Sequence, residues 1–468
     1  MTEIKKMFEL LKSKFYFSFQ SQRRIAPLVV LRIIFGLLMF FSTLRFLWKG
    51  WVKDFYITPH FHFTFYGFDW VRPFGEHGMY LLFTLMLVSS LCIALGLFYR
   101  ISSVLFFLTF TYVELIDKTY YLNHYYFISL IAFLMTLVPA NRCFSLDVLR
   151  NPDKEVTQVP AWTITIFKLQ LLIVYLFAGI SKINSDWLFE AMPLKIWLPA
   201  NAHLSLIGPL LEKEVTAYVF SWFGMLFDIF IVFFLLNNST RTVAYFFVIL
   251  FHVFTAWFFK IGMFPFVMMS MTLIFFSESF HSKIIQQLRR FLGRGLTSRE
   301  PKQNLDFKIY SPLRKKIICS ILIVYFIFQI IIPFRYLLYP GKLLWTEEGY
   351  RFSWRVMLME KSGTPFFHVK DPETGRSTEV NNRNFLTAFQ EKMMCTQPDM
   401  ILQYAHYLKN EYKKKGIEDP IVTVEDYISL NGKGSRLYID TAVDLAGEIE
   451  TLAAKKWILP YNENELSK

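Results

Sequence analysis

Nine apolar runs, each near the length of a membrane-crossing helix, punctuate the first 340 residues of this 468-residue chain. A helix needs about 20 apolar residues to cross the hydrocarbon, and fewer where neighbours shield it. The runs lie at residues 26–47, 79–98, 102–116, 125–139, 161–180, 215–236, 242–259, 262–276 and 317–338. A soluble fold would have to hide 52 Phe, 24 Tyr and 11 Trp in one core, whereas lipid allows such side chains to face outward. The chain is read as a polytopic α-helical membrane protein of about nine spans.

Charge sets the expected orientation. Residues 341–468 carry 17 Lys plus Arg against 19 Asp plus Glu, so with +13 overall the first 340 residues carry +15. It sits in short segments between apolar runs, where Lys and Arg mark the cytoplasmic side of a bilayer. A nucleic-acid binder would instead carry a basic face on a soluble domain, so no nucleic-acid partner is expected. Lys5, Lys6, Lys12, Lys14, Arg23 and Arg24 precede the first run and place the N terminus inside. Alternate loops then hold Arg100, Arg142 with Arg150 and Lys154, Arg241, and the strongly basic stretch 278–316. The first run lacks a small-residue cleavage site and is interrupted by Arg32 and Arg45, so it reads as an uncleaved span.

An odd number of spans puts the remaining chain outside. The expected organisation is a transmembrane domain, residues 1–338, and an extracytoplasmic α+β domain, residues 339–468, facing periplasm or lumen. Segments 351–360 and 365–370 read as strands, 371–375 as a turn, and 377–380 as a returning strand. Pro398 opens a helix whose Ile401, Tyr404, Ala405, Leu408 and Tyr412 share a face. Segments 421–430 and 435–440 flank Asn431-Gly432, a hairpin signal. Cys92, Cys143, Cys319 and Cys395 are dispersed among spans and opposite faces, so neither a disulfide nor a cysteine metal site is expected.

This topology brings Lys182, His124, His252 and Lys260 toward one outer membrane face. Ionisable residues at membrane depth are costly and suggest function. Each also has a structural reading: Lys182 snorkelling or pairing with Asp186 one turn on, His124 in an interfacial aromatic belt, and His252 as a satisfied interior histidine. As a functional group, a lysine acts as base only when neutral, and an apolar surround lowers an ammonium pKa from about 10.4 toward roughly 7 or 8. A membrane-dissolved hydroquinone, with a phenol-like pKa of about 10, is the matching acid. The chain has no P-loop, GxSxG, HExxH or dinucleotide fingerprint, and no His cluster with metal spacing.

Several ordered blocks resemble the vitamin K-dependent gamma-carboxylases and the wider horizontally transferred transmembrane domain group. They are Asn123-His124-Tyr125, Pro139-Ala140-Asn141-Arg142 with Phe144-Ser145-Leu146-Asp147, and Phe177-Ala178-Gly179-Ile180-Ser181-Lys182 running on to Asp186-Trp187. Phe251-His252 with Ile261-Gly262-Met263-Phe264-Pro265, and Gly349-Tyr350-Arg351-Phe352-Ser353-Trp354, complete the series. The resemblance implies Lys182 as the base that deprotonates vitamin K hydroquinone and His124 as the residue assisting the oxygenated intermediate. It further implies Asn123, Trp187, His252, Met263, Tyr350 and Trp354 as substrate-binding residues, with reduced vitamin K, O2 and CO2 as co-substrates and no metal. Expected partners are membrane lipid, the quinone and a glutamyl peptide or protein. Ser181 stands where the animal enzymes carry the first lysine of a pair, Met359 stands where a histidine is expected, and the chain stops before the animal enzymes do. Epoxidation is therefore the primary expectation, with carboxylation of a glutamyl γ-carbon coupled to it. A noncatalytic quinone- or lipid-binding membrane protein is the alternative; a transporter gated by Lys182 is weaker, since neither an inverted repeat nor paired broken helices are visible.

Overall fold

A computed structural model describes residues 21–205, 207–259, 261–292 and 310–462. Lys5, Lys6, Lys12 and Lys14, the interfacial Lys260, and Arg294, Arg299, Lys302 and Lys308 of the basic stretch lie outside the described residues. Among the described residues nine apolar helices follow the nine runs, with ends moved by a few residues. Seven are long and apolar enough to cross a membrane: α1 (Ala26–Trp48), α2 (Gly75–Leu95), α3 (Tyr99–Ile116), α5 (Trp162–Ser181), α6 (Glu214–Leu236), α7 (Arg241–Phe258) and α10 (Pro312–Leu338). Two are shorter, α4 (Asn123–Leu137) and α8 (Phe264–Phe275). Proline explains both short helices. Pro139 biases Val138 toward the extended conformation it adopts, ending α4, and Pro265 sits in the first turn of α8, where its missing N–H costs nothing. An amphipathic helix, α9 (Glu278–Leu292), follows α8.

The bundle core is apolar, and α6, α7 and α10 leave Phe230, Phe233, Phe246, Trp257 and Phe328 exposed, as lipid contact permits. Helices α5 and α6 pack closely because position 179 is glycine. A Cβ there would come within 2.8 Å of the Ile229 backbone nitrogen and 2.6 Å of its Cγ1. At the end of the bundle nearer the first helix's start, β1 (Gln22–Arg24) pairs antiparallel with β2 (Gln158–Pro160).

The C-terminal region, termed the outer region after its expected placement, contains a four-stranded antiparallel sheet in the order β4-β3-β5-β6: β3 (Lys361–Lys370), β4 (Ser377–Glu379), β5 (Ile421–Leu430) and β6 (Ser435–Leu437). The Asn431-Gly432 hairpin and the returning strand match expectation. Helices α11 (Ala388–Met394) and α12 (Pro398–Lys414) accompany the sheet, and the apolar face of α12 is buried, with Ile401, Tyr404, Ala405 and Leu408 all 0% exposed.

One expected strand is absent: residues 351–354 form turns, 355–360 run as irregular chain, and β3 begins only at Lys361. The backbone here follows side-chain anchors instead of a sheet ladder. Arg351 pairs with Asp399 at 2.7 Å, the Phe352 N–H donates to the Tyr121 hydroxyl at 2.8 Å, and the buried Trp354 stacks on Tyr126 with centroids 5.0 Å apart. Phe352, Trp354 and Met357 adopt positive φ of 61°, 60° and 55°, incompatible with a continuous strand.

The outer region is docked onto the bundle by buried polar contacts. Lys118, between α3 and α4, reaches Asp399 at 2.8 Å. Burial opposes ionisation of Asp399, but Arg351 and Lys118 overcome it and hold the carboxyl well below the usual carboxylate range. On the other flank Asp186 accepts from Lys342 and from the Asn431 amide, both at 3.1 Å. Residues 351–357 are thereby held over the outer ends of α4, α5 and α7.

Candidate functional site

Lys182 caps the C terminus of α5, its N–H donating to the Gly179 carbonyl at 3.0 Å. The chain then reverses: Asn184 accepts from the Trp187 N–H at 2.9 Å and opens a short helical turn, Ser185–Leu188. This brings the Trp187 ring to 5.5 Å from Lys182 Nζ, within cation–π range. The close approach of α6 at Gly179 supplies the main partner: Lys182 Nζ donates to Asp228 Oδ2 at 2.8 Å and to the Ala178 carbonyl at 3.2 Å. The two side chains are only 8% and 7% exposed, so the cation is neither snorkelling nor paired with Asp186. Asp186 is engaged by Lys342 and Asn431 because the reversal after Lys182 turns it toward the outer region.

The pair lies in the wall of an apolar cavity of about 100 Å³, lined also by Phe127, Tyr175, Phe251, Phe264 and Trp354. Tyr175 Oη and His252 Nε2 are 3.0 Å apart. His252 Nδ1 and Trp354 Nε1, both buried, have no hydrogen-bond partner among the described residues. The structural reading of His252 as a satisfied interior histidine therefore covers half of its ring. Orphaned polar atoms in an otherwise apolar wall are costly unless a ligand or water meets them.

Against this cavity lies a larger, more polar chamber of about 890 Å³ beneath the outer region. His124, Met263 and Tyr350 line it, with Arg45 and Glu114 from α1 and α3 and with Glu347, Glu360 and Lys361 from above. Burial lowers the Lys361 ammonium, opposed by Glu347 at 3.0 Å. Asn123, Ile261, Phe264, Val356 and Met357 line both spaces. Phe264 stands between the histidines, 5.6 Å from the His252 ring and 5.8 Å from the His124 ring. Asn123 is oriented from both sides, donating to the Arg355 carbonyl at 2.9 Å and accepting from the Tyr121 hydroxyl at 3.1 Å.

The eight candidate residues thus fall in two adjoining spaces. Lys182, Trp187, His252 and Trp354 share the apolar cavity, His124, Met263 and Tyr350 the chamber, and Asn123 the boundary. His124 is buried, at 7% exposure, and its ring lies 4.5 Å from that of Tyr125, so it faces the chamber interior and not an outer aromatic belt. Sequence reasoning missed Asp228, Tyr175, Phe264, Arg45 and Glu114. Asp228 was detectable as the lone carboxylate inside the apolar run 215–236. Arg45 and Glu114 are likewise charges within runs, but their convergence on one chamber is a property of helix packing. Among the described residues no group of three His, Cys, Asp or Glu is arranged to hold a metal ion.

Residues 20–280 match the family model described as the HTTM domain, and residues 314–464 match that described as the vitamin K-dependent gamma-carboxylase, lumenal domain. No solved structure gives a significant match. The first model alone spans more than half of the chain, and the second covers the sheet-bearing region that roofs the chamber. The chain belongs to the HTTM family and is a gamma-carboxylase-like integral membrane protein.

Proposed function

We propose that this protein oxygenates vitamin K hydroquinone to the epoxide, with Lys182 as the base, and couples that oxidation to CO2 addition at a glutamyl γ-carbon. The observation that carries the reading is the Lys182–Asp228 pair in the wall of an apolar, aromatic cavity. The cavity suits a flat quinol ring: Phe127, Phe251, Phe264 and Trp354 supply apolar faces, and His252 Nδ1 and Trp354 Nε1 are free to meet ring oxygens. When bound, the hydroquinone supplies an acidic hydroxyl and, through its oxidation by O2, the driving force for the coupled reaction.

The protein's part is proton handling and positioning. Lys182 Nζ takes the hydroxyl proton in the state of the pair in which the amine is neutral and the shared proton rests on Asp228, and Asp228 remains the hydrogen-bond partner of the ammonium so formed. The Ala178 carbonyl fixes the direction of Nζ. Trp187, anchored by its Nε1–H to the Ser221 carbonyl at 2.9 Å, closes the cavity toward the outer loop. Asn123 and Phe264, lining both spaces, form the boundary across which a glutamyl side chain in the chamber would meet the quinol. His124, across Phe264 from the quinol cavity, would assist the oxygenated intermediate at that boundary, Met263 and Tyr350 would contact the second substrate, and Arg45, whose Nε has no hydrogen-bond partner among the described residues, suits its carboxylate. Basic residues Arg100, Arg142, Arg150 and Arg241 at the bundle end remote from the sheet support a cytoplasmic placement of that end and an extracytoplasmic chamber.

The test is epoxide formation from reduced vitamin K by purified, detergent-solubilised protein, with labelled CO2 and a short glutamyl peptide present. Lys182→Ala is expected to lower epoxide formation by about 10²- to 10⁴-fold, the range for loss of a general base. Unchanged turnover in a folded Lys182→Ala protein refutes the base assignment. Quinone binding without turnover in the wild type moves the protein to the noncatalytic class, and epoxide without peptide label removes the carboxylation half.

A further inference from the structure

A second charged cavity lies at the opposite end of the bundle, remote from the sheet. Arg32, six residues and so about 9 Å into α1, is 1% exposed. Its Nη2 donates to the Phe144 carbonyl at 2.6 Å, while Nε and Nη1 have no hydrogen-bond partner among the described residues. Among the described residues no carboxylate approaches the guanidinium within 4.0 Å. Asp147, the acid of the adjacent loop, directs its oxygens to the Phe98 and Tyr99 N–H groups and to the Asn141 amide. Asp147 thus acts on Arg32 only through space, and a buried guanidinium with no carboxylate in contact is unfavourable, since buried charges are almost always paired.

Arg32 lines a cavity of about 270 Å³ whose other walls are almost wholly apolar. That space far exceeds the roughly 30 Å³ share of one water molecule. The hydroxyl of its polar neighbour, Ser145, is already used, donating to the Asn141 carbonyl and accepting from the Val148 N–H. Leu37, Leu95 and Leu149 stand at its edge, 38%, 45% and 37% exposed, on the surface that lipid would cover. Gly96, in the left-handed region at φ +65°, lets the chain pass over the guanidinium, since a Cβ there would fall 1.8 Å from Nη1. The cation is thus held at this depth by the backbone on one side and borders the cavity on the other.

We propose that this cavity binds the phosphate of an anionic glycerophospholipid from the leaflet at that end, with Arg32 as countercharge and an acyl chain leaving between Leu37 and Leu95. An apolar wall with an exit onto the lipid-facing surface suits an amphiphile better than a free ion. The basic residues Arg100, Arg142, Arg150 and Arg289 at the same end favour an anionic leaflet. This site is separate from the Lys182 cavity, so its failure would leave the proposed reaction untouched.

Native mass spectrometry of the full chain, purified and reconstituted with phosphatidylglycerol or phosphatidylcholine, tests the assignment. Wild type is expected to retain one phosphatidylglycerol with a preference of roughly fivefold or more, the effect of one cation near an anionic headgroup. Arg32→Gln removes the countercharge, and Leu149→Trp fills the mouth while keeping the guanidinium; both are expected to abolish the preference. Should Arg32→Gln fail to fold, Leu149→Trp decides alone. Equal retention of both lipids by wild type, or a preference that Leu149→Trp leaves intact, overturns the proposal. Displacement of the retained lipid by inorganic phosphate alone would reassign the site to a free ion.

Discussion

Asp228 and Lys182 make a strong, opposed pair of expectations for stability. The ion pair spans 2.8 Å between α5 and α6, and both side chains are more than nine-tenths buried. Asp228→Leu leaves the ammonium with only the Ala178 carbonyl at 3.2 Å, and Lys182→Met leaves a buried carboxylate without its cation. Removing one member of a buried pair costs about 3–5 kcal/mol, whereas replacing both by apolar groups of similar volume is often neutral or stabilising. The double variant is therefore expected to recover most of either single loss, giving a coupling energy of about 3 kcal/mol or more where independent sites add within about 0.5 kcal/mol. Equilibrium unfolding of detergent-solubilised protein, followed by tryptophan fluorescence, reads all four corners of the cycle. Two additive losses, or single losses below about 1 kcal/mol, would show that the two groups do not share a buried pair. In the same preparations Asp228→Asn, which keeps the shape of the carboxylate, should reduce epoxide turnover much more than hydroquinone affinity, since the cavity walls remain.

Gly179→Val should separate α5 from α6, because the new Cβ would meet Ile229 at 2.6–2.8 Å; a stability loss of about 1–3 kcal/mol is expected with loss of turnover. Wild-type unfolding energy would refute that close approach. Asp426 in β5 offers a pH test: burial pushes its carboxyl well above the usual range, with Lys361 only partly opposing, and both its oxygens lack partners. A raised folded pKa favours the protonated form, so its contribution is full below about pH 4 and is lost as pH rises toward the folded value, by up to about 1.4 kcal/mol per pH unit. Asp426→Asn should therefore stabilise the protein increasingly from pH 4 upward, and an equal effect at pH 4 and pH 8 would contradict this. Asp399 has the opposite sign: its lowered pKa means that stability present above about pH 4 is lost only as pH falls through the strongly acidic folded value. Asp399→Asn, leaving Arg351 and Lys118 without their carboxylate, should cost about 3–5 kcal/mol at neutral pH. A pH-independent loss of under 1 kcal/mol would show the two cations to be solvated.

The apolar runs by themselves located the apolar helices and their order, because helix in lipid is dictated by segment length and backbone hydrogen bonding, both local properties; of the about nine spans expected, seven are long enough to cross and two are shorter. The Asn431-Gly432 turn and the apolar face of α12 were legible for the same reason: φ preference and 3.6-residue periodicity are written in neighbouring residues. Residues 351–360 were misread as a strand because their conformation is set by distant anchors, Asp399, Tyr121 and Tyr126, which no local propensity encodes. The candidate residues could be named from sequence, but not their grouping. That Lys182 meets Asp228 and not Asp186 depends on the approach of α6 at Gly179 and on the reversal after α5. That His124 and His252 sit on either side of Phe264, in two different spaces, depends on how α4, α7 and α8 meet. Charge partners are chosen by which helices touch, and helix contact is a long-range packing outcome, so the chemistry of the site was decided only in the tertiary structure.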